Sequence, residues 1–81
     1  MTEDRRRDLV KLSRRKVEDG KISVRNIRRD ANKDLDELES EKIITSDDVR
    51  VGNEQLQKLT DRFIVEVERL GHSKEAEIRE V

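Results

Sequence analysis

The chain has 81 residues, 48% of them charged and 31% hydrophobic, with one aromatic side chain, Phe63, and neither cysteine nor proline. That excludes a disulfide scaffold, a thiolate metal site and a cysteine nucleophile, and it leaves too little apolar material for a wide globular core. What such a chain can build is long helices that each bury a narrow stripe of about two or three apolar residues in seven.

The net charge of −1 conceals an asymmetry. Residues 1–33 carry 12 Lys/Arg against 6 Asp/Glu, whereas residues 34–81 carry 7 against 14. A basic half beside an acidic half means either an anionic partner for the first or mutual attraction between the two. No apolar run approaches the roughly 20 residues of a membrane span, and no signal-peptide core is present, so no membrane role is expected. The expected location is the cytoplasm, or an organellar matrix in a eukaryote.

The first helix is expected over residues 3–41. Thr2 is a suitable N-cap, and Glu3 and Asp4 place negative charge in the first turn. A seven-residue repeat follows at Val10, Val17, Val24, Ala31 and Leu38, with Gly20, Ile27 and then Leu35 at the second seam position. This is a coiled-coil type of seam, about 60 Å long at 1.5 Å per residue. Gly20 is expected to admit a close approach by a neighbouring backbone.

The repeat breaks at residues 42–45. A second start signal, SDDV, follows, with Ser46 read as the cap and Asp47 and Asp48 in the first turn. The second helix is expected over residues 46–80, with a stripe of Val49, Gly52, Leu56, Leu59, Phe63, Val67, Leu70 and Ile78. Gly71 is expected to loosen its last turns. So short a connection between long helices implies an antiparallel hairpin. The fold class is therefore all-α, a coiled-coil-like hairpin of two long helices forming a single partial domain. Two stripes facing each other leave a groove that a third helix would close, as in a three-helix bundle.

The stretch VRNIRRDAN (residues 24–32) is the densest cationic segment. Three- and four-residue spacings share a helix face, so Arg25, Arg28, Arg29 and Asn32 form one patch beside the seam. Arg7, Arg14 and Lys21 fall in step with Arg28 at seven-residue intervals, and Lys11 extends the row into a ridge about 30 Å long. One reading is that this ridge answers the glutamates of the facing helix. The other is that it holds phosphate, for which the planar fork of arginine is suited. Asp30 is read as a brace for Arg29 or for a partner cation, and Phe63 as core. His72 has no second histidine at ligand spacing, and Asp47 and Asp48, being adjacent, do not face each other as a catalytic pair would. Nothing marks an enzyme or a cofactor site.

The segments EDRRRDLVKL (residues 3–12), SVRNIRRDAN (23–32), LQKLTD (56–61) and KEAEI (74–78) resemble the C-terminal half of bacterial ribosome recycling factors, in the family's order and spacing. The resemblance runs from Thr2 onward. It implies helices two and three of a three-helix bundle, without the bundle's first helix and without a small β-rich domain inserted after it. Met1 before TEDRRRDL then reads as a start placed on a truncated chain or at a subdomain boundary. The resemblance also implies a function: binding large-subunit ribosomal RNA and, with elongation factor G, splitting the post-termination ribosome. On matching positions it implies that Arg6, Arg25, Arg28, Arg29 and Asn32 contact RNA, with Arg14 and Lys21 carried more loosely. VERLGHS (67–73) departs from the family's alanine-rich run. The competing expectation is a non-catalytic coiled-coil scaffold that forms a homo-oligomer through its exposed seam.

Overall fold

The computed structural model describes residues 2–80. Two helices, α1 (Glu3–Ser40) and α2 (Ser46–Glu80), form an antiparallel hairpin with principal extents of 60 × 15 × 10 Å, and no strand occurs among the described residues. The fold is all-α, as the seven-residue repeat implies. Met1 lies outside the described residues, and with it the reading of the chain start.

The helix ends are specified by local chemistry. Thr2 is extended and its Oγ1 accepts from the Arg5 N–H at 3.1 Å, which caps α1. The far end of α1 closes with two backbone bonds, Lys42 N–H to Glu39 O and Ile43 N–H to Leu38 O, both 2.9 Å. This pairing requires a left-handed residue, and Lys42 supplies it at φ 61°. α2 begins with a reciprocal box in which the Asp48 N–H donates to Thr45 Oγ1 at 3.1 Å and the Thr45 N–H donates to Asp48 Oδ2 at 3.0 Å. The cap is thus Thr45 and not Ser46. A threonine followed three residues later by a carboxylate satisfies two otherwise unpaired N–H groups, which Ser46 would not.

The seam between the helices is narrow. Val10, Val17, Val24, Ala31, Leu35 and Leu38 of α1 are half-buried, and α1 has no fully buried residue. On α2, Val49, Thr60, Gly71 and Ile78 are buried. Thr60 is tolerated there because its hydroxyl donates to Leu56 O at 2.7 Å.

Two glycines serve as sockets. A Cβ at Gly71 would lie 2.5 Å from Val17 Cγ2, and one at Gly52 would lie 2.8 Å from Leu35 Cδ1. Gly71 therefore does not loosen the end of α2. It lets Val17 seat against the backbone within an unbroken helix. Gly20, by contrast, has only an ordinary contact, 3.6 Å from Val67 Cγ1.

The expected α2 stripe divides in two. Leu59, Phe63 and Leu70 are exposed, Phe63 by 53%, so Phe63 is not core. Ile27 of α1, placed in the seam by its spacing, is 68% exposed. The apolar face of α2 is wider than one partner helix can cover, so its flank is left beside the seam. At the Leu70 end of that flank an open groove of about 590 Å³ lies between Leu9, Leu12 and Val17 of α1 and Val67, Leu70 and Ile78 of α2, rimmed by Lys16 and Lys74; Leu59 and Phe63 lie outside it.

Candidate nucleic-acid interface

The heptad row of cations lies on the opposite side of the seam from this groove. Arg14 donates through Nε to Glu75 Oε1 at 2.7 Å, and Lys21 Nζ lies 3.0 Å from Glu68 Oε1. Both are pairs between helices. The Arg14 pair is the stronger, because its carboxylate is only 15% exposed and meets the guanidinium at two atoms. Glu75 is held below the ordinary value of 4.5 by the hydrogen bond from Arg14, helped by the charges of Arg14, Arg79 and His72, and Arg14 is raised in return. At these two positions the acidic helix answers the basic one.

Among the described residues, the remaining predicted ones do not join this interhelical pairing with glutamates. Arg6 is half-buried and lies 3.7 Å from Glu3 on its own helix. Arg7 pairs with Asp4 in the same way at 3.8 Å. Arg25, Arg28 and Asn32 are half-buried along the seam edge, while Arg29 is exposed.

No carboxylate is paired with Arg25, Arg28 or Arg29 among the described residues. Arg28 donates through Nη1 to Gln57 Oε1 at 3.3 Å, and Arg29 donates through Nη1 to Asn26 Oδ1 at 3.4 Å. Asp30 is exposed and does not brace Arg29; Asn26, one turn back, does. Three cations within five residues are thus held by neutral amides or by none. Their charge is not discharged inside the protein, unlike that of Arg14 and Lys21. Beside them, Asn32 Oδ1, Asn53 Oδ1 and Arg28 Nε are buried without a hydrogen-bond partner. Asn53 and Gln57 were not anticipated from sequence. The only signal for them was the four-residue spacing that places both on the α2 face opposite the arginines.

A two-helix rod carrying a compact patch of arginines without carboxylate partners among the described residues defines an elongated helical module with an uncompensated cationic edge. Comparison with known proteins makes this more specific. The ribosome recycling factor family profile matches residues 1–78. Proteins named ribosome-recycling factor match the whole chain, at 52% identity in Roseiflexus sp. (strain RS-1) and 53% in Chloroflexus aurantiacus, in each case over 44% of the relative's length. The relative from Oleidesulfovibrio alaskensis is 48% identical over the same shares. The chain belongs to the ribosome recycling factor family, and it spans less than half the length of these relatives. No helix among the described residues is long and apolar enough to cross a membrane.

Proposed function

We propose that this chain is the RNA-binding helical part of a ribosome recycling factor. In this reading the Arg25–Arg28–Arg29 edge docks on large-subunit ribosomal RNA and contributes to splitting the post-termination ribosome with elongation factor G. The supporting observation is that these three arginines have no carboxylate partner among the described residues, whereas Arg14 and Lys21 in the same ridge do. A rod about 60 Å long keeps the spacing of the arginines fixed, so recognition follows phosphate position and RNA shape rather than base sequence. Binding free energy gained along the rod then offsets the bridges that the two ribosomal subunits give up on separating, and no covalent step is needed.

Asn32 is assigned to the RNA edge with the three arginines, and Arg6 to its extension near the start of α1. Arg14 and Lys21 are assigned chiefly to holding the hairpin. The groove on the other face takes the remaining bundle helix of a longer chain.

The test is pelleting with large ribosomal subunits at two salt concentrations, in competition with a full-length factor. Arg25→Ala and Arg28→Ala should each weaken binding about tenfold and lower the slope of log affinity against log salt by about one. If Arg14→Ala weakens binding as much as Arg28→Ala does at unchanged helicity, the division of the ridge is wrong.

A second reading, a self-associating coiled-coil module, is favoured by the groove and by exposed Phe63, Leu70 and Ile27. It predicts dimers in sedimentation that Leu70→Lys abolishes, together with no preference for RNA.

A further inference from the structure

The spacing of the interhelical pairs contains an exception at Arg28. Arg14 meets Glu75 and Lys21 meets Glu68, a step of seven residues along each helix. One more step brings Arg28 level with Asp61, which would make a third ion pair. That pair is not formed. Arg28 instead donates to Gln57 Oε1, and Gln57 Nε2 donates to Asp61 Oδ1 at 2.9 Å.

The direction of this relay is fixed by chemistry. A guanidinium can only donate and a carboxylate can only accept, so one orientation of the Gln57 amide serves both neighbours. Asp61 locks the amide, and the amide offers its oxygen to Arg28. The outcome differs from a salt bridge in one respect: an amide holds a guanidinium in place without cancelling its charge. Arg28 Nε is buried without a partner, so the terminal nitrogens are the donors left for a ligand.

We propose that Gln57, oriented by Asp61, is a positioning residue that stands between Arg28 and the carboxylate in register with it, keeping Arg28 fixed and without a carboxylate partner, open to an RNA phosphate. The proposal rests on the RNA-binding reading above. Without Gln57, the long Arg28 side chain is free to collapse onto Asp61, and a phosphate would then have to displace a carboxylate. Asp61 harms binding only when the amide is missing, so removing its charge should rescue a Gln57 variant.

The experiment measures affinity for purified large ribosomal subunits across a salt series for Arg28→Ala, Gln57→Ala and the double variant Gln57→Ala/Asp61→Asn, with far-UV circular dichroism of each. Gln57→Ala is expected to weaken binding about fivefold and to lower the salt slope by about one, at unchanged helicity. Adding Asp61→Asn should restore the slope and most of the affinity, because the group then left facing Arg28 is a neutral amide and not a carboxylate. A merely structural Gln57 would not be rescued in this way, and an absence of rescue overturns the proposal. If Arg28→Ala weakens binding and Gln57→Ala does not, the proposal fails while the RNA-binding reading stands. If Arg28→Ala itself has no effect, the RNA role of this residue fails and the proposal fails with it.

Discussion

Gly71→Ala tests how the hairpin is held together. In an open helix position alanine is better than glycine by about 1 kcal/mol, so propensity alone predicts stabilisation. At Gly71 the new methyl would lie 2.5 Å from Val17 Cγ2, well inside contact distance. Val17 is β-branched on a helix and has one strongly preferred rotamer, so it cannot swing aside cheaply. Overpacking of this kind costs about 2–3 kcal/mol, which leaves a net loss of about 1–2 kcal/mol. Gly20→Ala is the internal control. Its methyl would lie 3.6 Å from Val67 Cγ1, an ordinary contact, so the propensity gain of about 1 kcal/mol should survive. The two variants should therefore shift urea midpoints in opposite directions, read by circular dichroism at one protein concentration. Val17→Ala in the Gly71→Ala background should recover part of the loss, because the two side chains compete for one space. If Gly71→Ala stabilises as much as Gly20→Ala, Val17 does not seat on Gly71 and the seam is packed differently.

Two other predictions follow from the helix ends and the ion pairs. Lys42 holds a left-handed conformation that costs a non-glycine residue about 1 kcal/mol, so Lys42→Gly should raise stability by about 0.5–1 kcal/mol while Lys42→Val lowers it, in the same urea assay. Glu75 is held below 4.5 in the folded chain, first by its hydrogen bond from Arg14, so its contribution is present above its unfolded value and is lost as pH falls through the folded one. Glu75→Gln should therefore destabilise at about pH 7, and the gap to the parent chain should narrow as pH falls below the ordinary carboxylate range. In a carboxyl NMR titration, Arg14→Ala should move the Glu75 midpoint back towards the ordinary range.

The sequence made the fold class readable because the valines at 10, 17 and 24 repeat every seven residues and no proline interrupts either helix. It was less informative about which apolar residues fill the seam. Leu59, Phe63 and Leu70 belong to the same broad apolar face of α2 as Leu56 and Val67, and hydrophobicity alone does not tell the strip that meets α1 from the strip beside it. Size does part of that work, since Gly52 and Gly71 leave no room for a Cβ beneath Leu35 and Val17 and the small Thr60 is buried. The cation ridge shows a similar limit. Spacing along α1 gives each arginine its angle, but whether its charge is answered depends on the residue α2 places opposite. That register follows from how the chain turns between Leu38 and Val49, through one left-handed lysine and one threonine–aspartate box. The arginines of VRNIRRDAN could thus be singled out from α1 alone. That Arg14 and Lys21 are paired with glutamates while Arg28 meets an amide is a property of the pair of helices, and it separates the part of the ridge that ties the two helices together from the part whose charge no carboxylate answers.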